Sequence, residues 1–170
     1  LKLDTVALFN DDKLIDYASK DESRGINLAL NKIEAMIIKY NCKDGYLVTQ
    51  INNVKSSIDG YKISIKTTGD IIENTCKIDL TDPDKISEIE KDTEKQIKKL
   101  VRKGVNYTQN IELDVLGIGN LLYKENPKKF KKIDDWNKYY SKLDIDISVQ
   151  ARITTKGSSK QSLKEALDGN

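Results

Sequence analysis

The sequence predicts an α+β fold, and three observations carry that prediction. From Ile145 to Ile153 apolar and polar residues alternate: Ile145, Ile147, Val149, Ala151 and Ile153 point one way, Asp146, Ser148, Gln150 and Arg152 the other. A period of two over such a run marks a strand with one buried and one wet face. Two Asp-Gly pairs, Asp44-Gly45 and Asp59-Gly60, separate alternating runs, as in a meander. From Pro83 onward Ile86, Ile89, Thr93, Ile97, Leu100, Val101 and Val105 follow at three-and-four spacing, the stripe of a long amphipathic helix. The expected architecture is an antiparallel or mixed sheet, made of a hairpin, a three-strand meander and a C-terminal strand. One long helix and several shorter ones pack on it.

In order, Thr5–Phe9 and Leu14–Ala18 flank Asn10-Asp11-Asp12-Lys13, a hairpin with a polar turn. A helix capped by Asp21 or Ser23 is expected to run to about Lys32, with Gly25 an oddity in its first turn. Met36–Cys42, Tyr46–Ile58 and Tyr61–Thr68 form the meander. Gly69 is expected to break the last strand or mark a bulge before Ile71-Ile72. Thr81-Asp82-Pro83-Asp84 opens the long helix, through about Val105, and Asn106–Asn110 reads as a polar connection. Two or three short helices follow between Leu113 and Ser141. They carry the only Trp (Trp136), one of the two Phe (Phe130) and one of the two Pro (Pro127). Residues 1–157 read as a single α+β domain. Residues 158–170 read as a flexible tail, with at most one helical turn at Leu163–Leu167.

Composition bounds the chemistry. Without His, serine-type triads, Cys-His pairs and His-bearing metal sites are excluded within this chain, and two Cys are too few for a four-thiolate centre. Formal net charge is +2, too small an imbalance to predict nucleic-acid binding. No apolar run approaches the roughly 18–20 residues that span a bilayer. The chain starts at Leu1 rather than Met and enters a strand almost at once, so a fragment of a longer protein is expected. No catalytic residue, cofactor site or metal site is expected.

Each candidate motif has a plain alternative. Gly117-Ile118-Gly119 carries the first two glycines of a dinucleotide fingerprint, but it follows no strand and lacks the third. Close helix packing explains it better. Cys42 and Cys76 are expected as free thiols, since strands two places apart would hold them nearly ~10 Å apart, beyond the roughly 7 Å limit for a bridge. Asp11-Asp12, Asp134-Asp135 and Asp144/Asp146 lack the spacing of a calcium loop and read as solvated carboxylates. Lys124, Lys128, Lys129, Lys131 and Lys132 crowd around Pro127 and Phe130. This is either a solvated face or a contact for anionic lipid or an acidic partner, with Lys128, Lys129, Phe130 and Lys131 the candidate contact residues. Trp136 and Tyr140, four apart, share a helix face, which favours core over an exposed hot spot. Gly117, Gly119 and Trp136 are assigned to holding helices in place.

The ordered landmarks resemble the C-terminal domain of the Ger(x)C family, the C subunit of spore nutrient germinant receptors. They are Asp114-Val115-Leu116-Gly117-Ile118-Gly119, Leu121-Leu122-Tyr123, Pro127, Phe130, Trp136, the strand Ile145–Ile153 and Gly157. Val6-Ala7-Leu8-Phe9, Asp12-Lys13-Leu14 and Glu22-Ser23-Arg24-Gly25 with Leu28 and Leu30 agree with it. The resemblance covers about residues 4–157. Phe130 stands where many members have Trp, Ile118 where Phe is frequent, and Asp16-Tyr17 replaces a Gly-containing pair. The resemblance implies a non-enzymatic lipoprotein at the outer face of the spore inner membrane, with its lipid anchor and first domains upstream. Its partners would be integral-membrane A and B subunits of receptors that respond to amino acids, sugars or ions. The alternative of another class is an extracytoplasmic module that binds a small ligand between meander and long helix.

Overall fold

Four glycines at close crossings, Gly25, Gly45, Gly69 and Gly104, and one bridge between cysteines mark this fold. The computed structural model describes residues 5–155. The element order is β1 (Val6–Asn10), β2 (Lys13–Ala18), α1 (Lys20–Ala29), β3 (Met36–Cys42), β4 (Gly45–Asp59), β5 (Lys62–Asn74), α2 (Pro83–Asn110), α3 (Ile118–Glu125), α4 (Pro127–Phe130), α5 (Trp136–Tyr140) and β6 (Asp146–Thr154). β1 and β2 form a two-stranded antiparallel sheet, and a four-stranded sheet has the order β3-β4-β5-β6. The meander is therefore consecutive, as its turns predict. β6 lies parallel to β5: the Asp146 N–H donates to Tyr61 O at 2.9 Å and the Thr154 hydroxyl lies 3.5 Å from Gly69 O, eight residues on in both strands. The sheet is mixed.

The described residues fall into two compact units. One is drawn from Leu1–Ile33, Ser56–Ile65 and Gln96–Val149, the other from Glu34–Lys55, Lys66–Lys95 and Gln150–Asn170.

In the first unit, Leu8, Ala18 and Ile26 are buried together, with Val6, Leu30, Tyr107, Ile111, Leu113 and Val115 packed around them. α1 starts earlier than its sequence suggested. Ser19 is the N-cap, completing a capping box in which Glu22 accepts from the Ser19 N–H at 2.7 Å. Ser23 is not a cap. Its hydroxyl is buried, donating to Ala18 O at 3.2 Å and accepting from the Val6 N–H at 2.9 Å, so it ties the hairpin to the helix. Gly25 is no oddity either. A Cβ there would sit 2.0 Å from Leu100 O, and one on Gly104 would sit 2.6 Å from Ile26 N, so α1 and α2 cross backbone to backbone.

α2 runs 28 residues, about 42 Å at 1.5 Å per residue, and includes the segment read as a connection. Asn106–Asn110 stays helical because its polar side chains are used. The Thr108 hydroxyl donates to Val105 O at 2.9 Å, and Gln109 Nε2 donates to Tyr140 O at 3.0 Å and Leu143 O at 2.7 Å.

Gly69 does not break β5. Ile63, Ile65, Thr67, Gly69 and Ile71 are all buried in unbroken alternation along the strand. A side chain at Gly69 would meet Gln50 O and Ile51 Cδ1, both at 2.9 Å. Close packing selects the glycine. The free edge of β6 is covered by two carboxylates of α2, Glu94 accepting from the Ala151 N–H at 3.0 Å and Glu90 from the Ile153 N–H at 2.9 Å.

The cysteines overturn their expectation. Cys42 and Cys76 form a disulfide, with Cα atoms 5.9 Å apart. The expected gap assumed that the chain leaves β5 along its own line. Instead Thr75 folds across the start of β4, where its N–H and hydroxyl both lie 2.9 Å from Tyr46 O and its hydroxyl takes the Tyr46 N–H at 2.8 Å. Gly45 permits this crossing, since a Cβ would lie 2.6 Å from Thr75 Oγ1. Cys76 is thereby carried over β4 to Cys42.

Candidate functional site

The segment from Leu113 to Tyr140 is organised by one carboxylate. Asp114 Oδ2 accepts from the Gly119 N–H at 2.7 Å and from Trp136 Nε1 at 3.0 Å, while Oδ1 accepts from the Ile118 N–H at 3.1 Å. Two of these donors are free N–H groups of the first turn of α3, where a negative charge is favourable. The third is the indole of α5. Gly117 supplies the left-handed turn into α3 at φ +72°, and Gly119 lets the indole lie on the helix, because a Cβ would fall 2.7 Å from Trp136 Cε2. Gly119 is thus a close-packing glycine, whereas Gly117 has open space around it and serves the turn.

Trp136 is half-buried rather than core. It sits in a row of rings, 5.3 Å from Phe130, 5.6 Å from Tyr139 and 6.5 Å from Tyr140, with Tyr123 edge-on to Phe130 at 5.6 Å. The Tyr139 hydroxyl lies 3.4 Å from that of Tyr61. Burial, and then the Tyr139 hydroxyl and its charge, push the Tyr61 phenol up to about 12. Tyr140 is the buried end of the row. Its hydroxyl is hydrogen-bonded to that of Thr108 at 2.7 Å, and Thr108 also bonds Val105 O at 2.9 Å. Burial holds the Tyr140 phenol near 12, helped by the Asp114 charge and opposed by the Thr108 hydroxyl.

Along this row lies the basic turn. Asn126 caps α4 by accepting from the Lys129 N–H at 2.9 Å, with Pro127 in the first turn. Lys124, Lys128, Lys129, Lys131 and Lys132 are all exposed, and Phe130 is half-buried between Tyr123 and Trp136. The Lys129 ammonium lies 5.7 Å from the Tyr61 ring centroid, within cation–π range. Asp135 is spoken for: it caps α5 through the Lys138 N–H and pairs with the Lys138 ammonium at 3.3 Å. Sequence reasoning named the lysines, Phe130, Trp136 and both glycines but missed Asp114 as their organiser. It also missed Tyr123, 49% exposed beside Phe130. The Asp three residues before Gly117 was the available signal.

Two cavities bear on ligand binding. Between meander and α2, a cavity of about 200 Å³ is lined by Tyr40, Leu47, Ile89 and the cysteine bridge. That is below the roughly 300–1,000 Å³ of ordinary small-molecule sites. A larger, polar cleft of about 510 Å³ opens between the first turn of α1 and the α2 stripe of Lys103, Asn106, Tyr107 and Asn110. Among the described residues, no group of three or more His, Cys, Asp or Glu is placed to hold a metal, and no helix is long and apolar enough to cross a membrane.

The model of the family described as "Spore germination B3/GerAC like, C-terminal" matches residues 4–157. The chain belongs to this GerAC-like family. Among curated relatives, spore germination protein KC of Bacillus subtilis is 26% identical over 173 residues, covering 92% of this chain and 42% of its own length. Spore germination protein YndF of the same organism is 26% identical over 160 residues, covering 87% and 40%. The crystal structure of the GerBC protein shares the fold at 18% identity, with a TM-score of 0.68 over 85% of this chain and 48% of that one. The GerAC-like chain thus spans about two-fifths of the length of the curated relatives it matches.

Proposed function

We propose that this chain is the C-terminal part of a germinant-receptor C subunit, a non-enzymatic interaction domain required for nutrient-triggered spore germination. The observation that carries the reading is the family match across residues 4–157, supported by two relatives named for spore germination. The subunit is a lipoprotein anchored, through a segment upstream of this region, at the outer face of the spore inner membrane. There it assembles with the integral-membrane A and B subunits. The disulfide accords with that place, since such bridges persist outside the reducing cytosol.

The contact surface is the basic turn. Lys128, Lys129 and Lys131 face solvent beside half-buried Phe130, and exposed Tyr123 adjoins them. Aromatic rings with adjacent lysines suit the headgroup layer, where each basic residue near anionic lipid contributes ~1 kcal/mol. Flotation with vesicles containing anionic lipid tests this directly. Changing Lys128, Lys129 and Lys131 to Glu should abolish binding of a protein whose circular dichroism is unchanged. Unaltered binding would remove the lipid contact. The receptor reading itself is tested by deleting the full-length gene in its native host, with the same deletion made in a strain lacking sibling receptors to check for redundancy. A nutrient response should be lost while germination by calcium dipicolinate, a trigger the family resemblance says bypasses receptors, persists.

One observation favours a second reading, an extracytoplasmic small-ligand module: the polar cleft at α1 and α2 has a ligand-sized volume of about 510 Å³. Saturable thermal stabilisation by one compound from a panel of amino acids, sugars and salts would favour it, and a flat panel would not.

A further inference from the structure

The β1–β2 hairpin has two faces of different fate. Its inner face, Val6, Leu8 and Ala18, is packed with Ile26 in the core. Its outer face is formed by the pairs Ala7↔Tyr17 and Phe9↔Leu14, with Ile15 at the register shift between Leu8 and Phe9. Phe9 is 55% exposed, Leu14 40%, Ile15 39% and Tyr17 61%, so four of the eight large exposed apolar side chains among the described residues lie on this one hairpin. A cluster of that kind marks a contact surface rather than ordinary surface scatter.

The charges around the face restrict its occupant. Asp11 and Asp12 border it at the turn, against Lys13, whereas Asp16 pairs with Leu8 on the inner side of the hairpin. Anionic lipid would be repelled. A second copy docked about a two-fold axis would bring the same two turn carboxylates against each other. A different polypeptide surface is left, and the comparisons say which is at hand. The family model covers a C-terminal region, and KC, YndF and the GerBC chain are each more than twice as long as the part this chain matches. In such relatives the remaining length precedes the hairpin, the first element of the matched region. A region on the same chain meets the hairpin intramolecularly, and so needs less area to stay docked than a separate partner would.

We propose that the outer face of the β1–β2 hairpin is an interdomain contact, covered in the full-length protein by the region that precedes this domain in its longer relatives. The proposal rests on family membership, not on the basic turn, and would stand if the lipid contact failed.

Hydroxyl-radical footprinting of this chain and of the full-length protein tests it without any substitution. Phe9, Leu14, Ile15 and Tyr17 should label strongly in this chain and several-fold less in the full-length protein. Ile37 and Ile72, exposed elsewhere, should label equally in both, and buried Ile26 and Leu28 in neither. Equal labelling of the hairpin in the two proteins overturns the proposal. Protection that rises with the concentration of this chain alone also overturns it, in favour of a second copy. As a second arm, the full-length F9K/Y17K variant should regain labelling at Leu14 and Ile15. Continued protection there would place the cover somewhere other than this face.

Discussion

Replacing Asp114 by Ala should destabilise the protein by more than any single lysine substitution, and the magnitude follows from its three donors. The carboxylate holds the N–H groups of Ile118 and Gly119 and the indole N–H of Trp136. A hydrogen bond to a charged acceptor contributes roughly 1.5–3 kcal/mol. The site is half-buried, so water reclaims part of each loss, and ~3 kcal/mol in total is the expected cost. For a domain of this size, each kcal/mol lowers Tm by roughly 2–4 °C, so Asp114→Ala should melt ~9 °C lower. Asp114→Asn keeps one acceptor oxygen but turns an NH₂ toward a backbone donor, and should lose about half as much. Thermal unfolding followed by circular dichroism gives the ranking. The indole N–H resonance of Trp136 reports the site itself and should move toward its solvent-exposed position in both variants. An Asp114→Ala protein melting within ~3 °C of the parent, with that resonance unmoved, would refute the idea that this carboxylate organises the segment.

Three further outcomes follow from the same geometry. Tyr140 is neutral when folded and its phenol is held near 12 against an ordinary value of 10.0, so folding favours its protonated form. Stability is then intact below about pH 10 and should fall by ~2–3 kcal/mol as pH rises toward 12. Denaturant titrations at several pH values should show the fall, and Tyr140→Phe should remove its share of it, since Tyr61 and Tyr107 are pushed up to about 12 as well. Removing the Cys42–Cys76 bridge, by reduction or by Ser at both positions, opens a loop with a sequence separation of 34 and should cost ~2–4 kcal/mol. An unchanged denaturation midpoint would argue that the bridge closes nothing. Gly119→Ala should cost ~1–3 kcal/mol and redden Trp136 emission, because the indole must move. Gly117→Asn, which tolerates the left-handed turn with open space around it, should cost under ~1 kcal/mol.

Elements written in hydrophobic period were legible: the β6 alternation, the meander and the long helix all came from residues on a repeating face. What was missed depends on atoms far apart in sequence. Asn106–Asn110 looks like a linker until Gln109 is seen capping the end of α5. Gly25 and Gly69 look like breakers until the backbone or side chain crossing each is known. The disulfide was excluded by treating strands as straight, whereas Thr75 folds across Gly45. At the site, residue types announced the lysines and rings. Asp114 did not announce itself, since nothing local says that a carboxylate will reach an indole 22 residues away.

The central claim is that this domain acts by contact through its basic turn. The most direct test is nutrient-triggered germination of spores that lack the gene and are complemented by the full-length protein carrying Lys128→Glu, Lys129→Glu and Lys131→Glu, at matched protein level. The account predicts a nutrient response no better than that of the deletion, with the calcium dipicolinate response intact. Complementation equal to the unaltered protein would contradict it.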